Sequence, residues 1–253
     1  FEGIYGTARV WINGALATVN RNGYMGFSVD LKPWICYGQE NLIKIDVDNS
    51  NQPNSRWYTG SGIYRDVNLW TGKGVYIPHD EMKITTLSVN DDVAVVEVCA
   101  NVKNTKECGI EAKCYVELIF EGKTVVTEKQ NIVFYSGRKE TVRVQIPVKC
   151  PKKWSTDHPN LYQCCVKTYI GDEICDEYTV DFGIRTLTLD PVNGFQINGE
   201  TVNLRGTCIH HDNGVIGAET FPEAEWYRCK RLKEAGFNAI RSSHHPMSRA
   251  MLD

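Results

Sequence analysis

The chain has 253 residues, of which 42% are hydrophobic and 23% are charged, a composition typical of globular proteins and not of disordered ones. Its 28 basic and 31 acidic residues give a formal net charge of −3, so the charge balance supports neither a nucleic-acid partner nor an anionic membrane surface. The longest apolar runs, such as Tyr115 to Phe120, fall far short of the roughly 20 residues that span a bilayer, and we predict no transmembrane segment.

Ten cysteines are spread over the whole chain, and several lie inside strand-like runs of alternating residues. Cys99, Cys114 and Cys175 are examples, and a free thiol in such a place behaves as a small hydrophobic group. We therefore expect reduced cysteines and a cytoplasmic location. Because Phe1 is not an initiator methionine and Asp253 follows an uncapped helical start, we also expect the chain to be an internal piece of a longer protein.

Residues 1–72 contain short alternating runs separated by turn residues. Ala8 to Ile12 is followed by Asn13-Gly14, a hairpin signal, and Leu42 to Val47 alternates between a buried and a wet face from Ile43 onward. About five strands are visible, which is fewer than a closed sandwich needs. We predict part of an antiparallel β-sandwich, whose remaining strands we expect upstream of Phe1.

Residues 73–187 show seven strand-like runs at a spacing of roughly ten residues, a pattern typical of an immunoglobulin-like β-sandwich. Trp154 and Tyr162 are interpreted as core or corner aromatic residues of this domain. The seven predicted strands are Lys83 to Val89, Val93 to Val102, Lys113 to Phe120, Lys123 to Gln130, Thr141 to Pro147, Tyr162 to Ile170 and Glu173 to Phe182.

Beyond Leu187 the period changes, and residues 188–253 are predicted to form a strand, a helix and a second strand. Val202 to Leu204 leads into the unit, and Phe237 to Arg241 is the second strand. Two parallel strands joined by a helix cross over right-handed. One such unit cannot bury its own apolar surface, so further units are expected.

The helix of this unit has clear end signals. Thr220 is the predicted N-cap, Glu223 completes a capping box, Pro222 fits the first turn and Gly236 ends the helix. One apolar face is expected to be buried, formed by Ala224, Tyr227, Leu232 and Ala235. Glu223, Glu225 and Glu234 are predicted to lie on the helix surface.

Four of the six histidines follow the two predicted parallel strands in pairs, His210-His211 and His244-His245. Because the carboxyl ends of adjacent parallel strands meet at the ligand site, both loops are expected to converge there. The alternative is that these side chains only satisfy loop backbone groups. Neutral imidazoles together with Arg241 would suit the hydroxyl groups of a ligand.

A zinc site is a competing interpretation, since Cys208 and Asp212 are also acceptable ligands. The spacing argues against it. Adjacent histidines on an extended loop point in opposite directions, so at most one of each pair can face a single metal ion.

Residues 238–246 (NAIRSSHHP) resemble the first signature of glycoside hydrolase family 2, the β-galactosidases and β-glucuronidases, which usually has Tyr where His245 stands. The resemblance covers essentially the whole chain. Further hallmarks are Ser61 to Arg65 (SGIYR), Trp154-Ser155, Pro159 to Tyr162 (PNLY), Phe182 to Arg185 (FGIR) and Leu204 to Gly206 (LRG).

This resemblance implies a mainly β, multidomain chain: the C-terminal part of a jelly-roll sugar-binding domain (1–72), the immunoglobulin-like sandwich (73–187) and the first βα unit of a (β/α)8 TIM barrel (188–253). It also implies hydroxyl contacts for His210 and His244, and an orienting role for Arg241 beside the catalytic carboxylates. Substrate contact is a weaker expectation for one loop of the first domain, at Asn54, Arg56 and Trp57, where the alternative is an exposed turn.

Family members hydrolyse glycosides with retention, using two glutamic acids about 5 Å apart. No acidic residue after Leu187 lies in a matching motif, so the resemblance implies that both glutamates lie outside this chain and that the chain alone is inactive. The run Arg56 to Arg65 (RWYTGSGIYR) looks more like a bacterial β-galactosidase than a β-glucuronidase.

The expected partner is therefore a β-galactoside sugar or oligosaccharide, with a homo-oligomer plausible. No cofactor is expected in this chain, and Mg²⁺ or Na⁺ is possible in the parent enzyme. A β-glucuronidase and a non-catalytic carbohydrate-binding β-sandwich module are the alternatives. The module would explain the first 187 residues but not the βα unit with its paired histidines.

Overall fold

The computed structural model describes residues 1–51 and 59–253, which form two compact units. The first unit combines Phe1–Leu69 with Leu204–Asp253, and the second is Trp70–Asn203. We call the second the sandwich unit and the first the split unit. The predicted domain boundaries stay predictions; by compactness, residues 188–203 lie with the sandwich unit.

In chain order, the split unit begins with β1 (Ile4–Tyr5), β2 (Thr7–Ile12), β3 (Ala15–Asn20), β4 (Ile43–Asp48) and β5 (Gly62–Ile63). The sandwich unit contains β6 (Val75–Tyr76), β7 (Met82–Val89), β8 (Val93–Asn104), β9 (Ile110–Phe120), β10 (Lys123–Phe134), β11 (Lys139–Lys149), β12 (Tyr162–Ile170), β13 (Glu173–Phe182), β14 (Leu187–Asp190), β15 (Gly194–Ile197) and β16 (Glu200–Thr201). The split unit ends with β17 (Gly206–Ile209), a 3-10 turn at Gly214–Ile216, α1 (Pro222–Glu234), β18 (Ala239–Ser242) and α2 (Arg249–Leu252).

The sandwich unit has two antiparallel sheets around one apolar core. One sheet has the order β10-β9-β12-β13, and the other has the order β11-β8-β6, with β7 also paired to β8. Strand β8 buries every second residue, as a strand with one core face should. Its Val96 and Val98 belong to the same buried cluster as Val116 and Leu118 of β9. All seven predicted strands are present, which confirms the predicted two-sheet arrangement.

Two aromatic residues of this unit pack within it, as predicted. Tyr162 is 3% exposed, and its hydroxyl accepts a hydrogen bond from the Lys152 backbone N–H at 2.9 Å. The guanidinium of Arg185 lies 4.1 Å from the centre of the Trp154 ring. A Cβ added at Gly183 would lie 2.7 Å from Trp154 side-chain atoms, so this position needs glycine. Both aromatic residues therefore pack within the protein.

The small antiparallel sheet β14-β15-β16 was not predicted from the sequence. Its signal was the pair Asn198-Gly199, which turns the chain between β15 and β16 with φ of 53° and 83°. Positive φ at both central residues is typical of a type I′ hairpin.

The amino-terminal part of the split unit contains the sheet β3-β2-β4 and the pair β1-β5. Asn13 and Gly14 adopt φ of 49° and 84° between β2 and β3, which confirms the predicted hairpin. Ala8, Val10 and Ile12 point from β2 into the core.

The carboxyl-terminal part of the split unit has the predicted parallel pair, β17 with β18. Its first strand is Gly206–Ile209 and not Val202 to Leu204. Thr220 is not the N-cap of α1: Phe221 occupies that position without a side-chain cap. The Thr220 hydroxyl donates to the Ala218 carbonyl at 3.2 Å, and its N–H donates to the Tyr64 carbonyl at 3.1 Å.

The face of α1 also differs from the prediction. Tyr227 and Ala235 are exposed, whereas Glu225, predicted to lie on the surface, is 4% exposed. The helical period identifies the apolar residues of α1, but the neighbouring elements determine which face of the helix is buried. Within the described residues, neither α-helix is long and apolar enough to cross a membrane.

Candidate functional site

The site is built on the start of the parallel pair, where three backbone-directed contacts fix the two strands. The Arg205 N–H donates to Oδ1 of Asn238 at 2.7 Å, and the Asn238 N–H donates to the Arg205 carbonyl at 3.0 Å. The Arg205 Nε donates to the carbonyl of Gly236 at 3.2 Å. A Cβ at Gly206 would lie 3.4 Å from Ala239, an ordinary van der Waals contact. These contacts fix the register of β17 and β18 at the amino-terminal ends of the two strands.

His210 and His244 lie together at the carboxyl ends of the two strands, with ring centres 5.2 Å apart. We call them the front pair. His210 is half-buried and His244 is exposed. Each follows its strand directly or after one residue, and the Ser243 N–H donates to the Ile209 carbonyl at 3.1 Å, which extends the ladder into the loops. Two imidazoles are thus presented side by side, as predicted.

Helix α1 braces the loop after β17 through Arg228. Its guanidinium donates to the carbonyl of His210 at 3.4 Å and also contacts the Asp212 carbonyl and Oδ1 of Asn213. His210 and Asp212 line an open groove of about 860 Å³ beside this helix. The Arg228 guanidinium of α1 therefore helps to hold the His210 backbone in position.

Arg241 is exposed on β18 and lies opposite Cys208 in the register of the parallel pair. Its Nη1 lies 3.7 Å from the Cys208 sulfur. A guanidinium at this position can donate to carboxylate or hydroxyl oxygens. Arg241 thus lies on β18, three residues before His244.

The second histidine of each pair points to the other side, where His211 and His245 are 8% and 6% exposed. We call them the rear pair; their ring centres are 5.3 Å apart. His245 stacks on Tyr24 at 4.7 Å with an interplanar angle of 16°, and His211 meets the Tyr64 ring at 4.5 Å. Adjacent histidines do point in opposite directions.

Two residues of the SGIYR hallmark, Tyr64 and Arg65, hold this rear region together. The Tyr64 hydroxyl donates to the Gly23 carbonyl at 2.7 Å. The Arg65 guanidinium, 7% exposed, donates to the Tyr24 carbonyl at 3.1 Å and to the Pro246 carbonyl at 3.0 Å. The hallmark therefore contacts the end of the signature directly.

Electrostatics favour neutral rings in the rear pair. Burial, followed by the charge of Arg65, lowers the pKa of His211 to about 4. Burial also lowers the pKa of His245, and Arg65 adds to this. Burial raises the pKa of Tyr64 to about 12, so its phenol keeps its proton. Around pH 7 the only full positive charge in this group of residues is that of Arg65.

The other predicted contact residues, Asn54, Arg56 and Trp57, lie outside the described residues. Across residues 1–51 and 59–253, no three His, Cys, Asp or Glu side chains come together as a metal site requires. In the segment from Leu204 onward, Glu225 is buried, while Asp212, Glu219, Glu223 and Glu234 are exposed.

Three partners of the histidine loops were not predicted from the sequence: Tyr24, Tyr64 and Arg65. Tyr64 and Arg65 were visible as part of a hallmark, but nothing local connects them with Pro246, 181 residues away from Arg65. Tyr24 carried no signal, because a single tyrosine in a loop is an ordinary feature.

Comparison with known proteins places these observations in a family. The model of glycosyl hydrolases family 2 matches residues 75–185. Beta-galactosidase BoGH2A of Bacteroides ovatus is 35% identical over 254 residues, covering 100% of this chain and 30% of that protein. A Formosa agariphila protein with a provisional β-glucuronidase name is 35% identical over 247 residues, covering 97% of this chain and 23% of its own length.

A solved structure of a glycosyl hydrolase family 2 member from Bacteroides cellulosilyticus is also similar. It has a TM-score of 0.94 and 36% identity, and the alignment covers 100% of this chain and 35% of that one. The chain is therefore similar over its whole length to proteins of glycosyl hydrolase family 2, which confirms the resemblance of its motifs. It spans between about a quarter and about a third of the length of these relatives.

Proposed function

We propose that this chain is part of a retaining glycoside hydrolase that cleaves terminal β-D-galactosides. The main support is the front pair, two imidazoles with ring centres 5.2 Å apart at the carboxyl ends of adjacent parallel strands. Neutral imidazoles donate and accept hydrogen bonds with fixed direction, which suits sugar hydroxyls. Ligands of parallel α/β folds bind at this end of the strands.

In this proposal the chain supplies binding and orientation, and two glutamic acids outside it perform the chemistry. One protonates the leaving oxygen and the other forms the glycosyl-enzyme intermediate, which water then hydrolyses. His210 and His244 contact hydroxyls of the sugar near the transition state, and Arg241 orients the neighbouring carboxylates. Alone, the chain is proposed to bind sugar weakly and to cleave nothing.

Galactose is the proposed sugar because the run Arg56 to Arg65 resembles the β-galactosidase branch. A β-glucuronide is the second candidate, since the Formosa agariphila protein with that provisional name shows the same 35% identity as the β-galactosidase. A glucuronide carries a carboxylate, which would need a cation within reach. We propose no cofactor in this chain, and Mg²⁺ or Na⁺ only in the longer enzyme.

The experiment is to assay the longer enzyme and this chain alone with the p-nitrophenyl β-galactoside and β-glucuronide. We expect turnover of the galactoside by the longer enzyme, at least tenfold above the glucuronide in kcat/KM, and none by the chain alone. The opposite ratio would transfer the proposal to a β-glucuronidase. Absence of turnover with any β-glycoside, together with retained sugar binding, would favour the carbohydrate-binding module.

A further inference from the structure

The rear pair sits directly behind the front pair, one residue along the chain in each loop. His211 follows His210, and His245 follows His244. Consecutive residues of an extended loop point in opposite directions but share one backbone, so a backbone displacement at a rear residue would also displace its front neighbour.

The packing of the rear pair is tight and comes from a distant part of the chain. His245 lies flat on Tyr24, and His211 meets the edge of Tyr64, with centre distances of 4.7 Å and 4.5 Å. Ring contacts of this kind fix orientation as well as distance.

Hydrogen bonds also fix the backbone around the rear pair. Arg65 links the carbonyls of Tyr24 and Pro246 through its two Nη atoms. The Ser242 hydroxyl contacts the carbonyl of His245, and the Ser243 N–H joins the two loops. The backbone of the His245 loop is thus held by hydrogen bonds, and both rear rings are held by aromatic contacts.

We propose that His211 and His245 are positioning residues of the sugar site, which hold the loops of His210 and His244 by packing as neutral rings against Tyr24 and Tyr64. The proposal rests on the proposed function for its effect on turnover, but its structural part stands alone. Sugar contact belongs to the front pair, and the rear pair acts only through it.

Lowering the pH should disrupt the packing of the rear pair. Among the described residues, the groups facing His211 are Tyr24, Tyr64, Arg65, His245 and Arg228, and those facing His245 are Tyr24, His211, Arg65 and His210. Of these groups, Arg65 and Arg228 carry a positive charge, and the histidines can gain one. Protonating either rear ring therefore adds a like charge in a poorly solvated place.

The pH range follows from the lowered pKa of His211. Its unfolded value is 6.5 and its folded value about 4, so the folded state binds this proton less readily than the unfolded state. The stabilisation is complete above about pH 6.5 and is lost progressively as the pH falls toward 4. His245, whose pKa is also lowered, contributes with the same sign.

The test compares two replacements of His245 in the longer enzyme. His245→Phe keeps a ring that can stack on Tyr24 but cannot titrate, and His245→Ala removes the ring. We expect the Phe variant to keep kcat within about 3-fold at pH 7.5 and to shift the acid limb of kcat to lower pH. The Ala variant should lose roughly 10- to 100-fold in kcat with KM little changed, as misplaced catalytic contacts do. His158→Ala, an exposed histidine of the sandwich unit, is the control.

Hydrogen exchange gives a readout that does not need turnover. The Ser243 amide, bonded to the Ile209 carbonyl, should exchange at least 10-fold faster in His245→Ala than in wild type at pH 7.5, and close to the wild-type rate in His245→Phe. Lowering the pH to 5 should remove its protection, beyond the intrinsic change, in wild type but less in the Phe variant.

These results separate the two proposals. If the wild-type enzyme hydrolyses no β-glycoside but Ser243 behaves as described, the proposed function fails and the positioning role survives. Equal activity and equal exchange in the Ala variant and wild type would overturn the positioning role. Loss of activity in the Phe variant as severe as in the Ala variant would also overturn it, because a polar imidazole would then be required.

Discussion

The sandwich unit and the segment Leu204–Asp253 differ in what they bury. The core of the sandwich unit is almost wholly apolar, with Val96, Val98, Val116, Leu118 and Phe134 all at 0% exposure. In Leu204–Asp253 the buried apolar residues are Ile209, Ala218 and Met251, while the buried polar ones are His211, Thr220, Glu225, Ser243, His245 and Ser248.

This difference indicates that the two regions have different roles, one in stability and the other in the geometry of the site. Apolar burial contributes about 25 cal/mol per Å² and needs no partner of matching geometry. Buried polar groups cost free energy unless they are hydrogen-bonded, so they add less to stability, although their contacts are directional. We infer that the sandwich unit is a stable scaffold and that the segment after Leu204 trades apolar packing for precise placement of its two histidine loops.

Thiol reactivity should show the largest contrast. Burial raises the pKa of the Cys114 and Cys164 thiols to about 12, whereas Cys208 on β17 is exposed. We expect a thiol reagent to modify Cys208 at least ~10³-fold faster than the two core thiols, which react only after opening. Mass spectrometry of the native chain over time measures this.

The total in denaturant is the control. All ten cysteines are unpaired in the structure, so ten thiols should be titrated in freshly purified, reduced protein. A count of eight or fewer would contradict the reduced state, and equal rates for Cys114 and Cys208 would show that the sandwich core is open.

Truncation in the sandwich core should have the next largest effect. Phe134→Ala, at a side chain with 0% exposure, should lower the free energy of unfolding by about 3–5 kcal/mol through lost burial and a residual cavity. Its neighbour Val133 is 65% exposed, so Val133→Ala should change it by no more than about 0.5 kcal/mol. Urea unfolding followed by circular dichroism compares the two. Similar losses would remove the distinction between the core and outer faces of β10.

A change in the site should behave in the opposite way, affecting turnover more than stability. His244→Ala in the longer enzyme should lower kcat/KM for a β-galactoside by about 100-fold, or about 2.7 kcal/mol of transition-state stabilisation. The melting temperature should move little, because His244 is exposed. Near wild-type turnover, or activity lost only through unfolding, would make His244 a structural loop residue.

The same contrast explains which features could be predicted from the sequence. Strands β7 to β13 follow from local alternation, and the hairpin at Asn13-Gly14 follows from turn chemistry. The front pair was also predictable, because its side-by-side position needs only two parallel strands and the alternation of adjacent residues.

What could not be predicted depends on contacts between distant segments. Thr220 has the residue type of an N-cap, but its N–H is bonded to Tyr64 and Phe221 takes the cap position. The partners of His211 and His245 lie near the other end of the chain. No local pattern connects Tyr24 with His245, so the rear pair could be expected to face away from the front pair but not to stack on a particular ring.

The smallest expected effect concerns the polar outer surface of the sandwich unit, where Lys139 on β11 contacts the Glu81 carboxylate, with a contact of 2.7 Å to one of its oxygens. Lys139 and Asn101 donate hydrogen bonds that lower the pKa of Glu81, yet the Lys139 side chain is 47% exposed, so water screens the pair. Lys139→Met should therefore lower the free energy of unfolding by no more than about 1 kcal/mol. Because the folded pKa of Glu81 lies below its unfolded value of 4.5, this contribution should be present above about pH 4.5 and lost as the pH falls below it.

Urea unfolding of wild type and Lys139→Met at pH 7 and pH 3 measures the difference, with Lys123→Met at the exposed start of β10 as the control. A loss at pH 7 comparable to that of Phe134→Ala would mean that the outer face contributes as much as the core, and the separation between scaffold core and polar surface would fail.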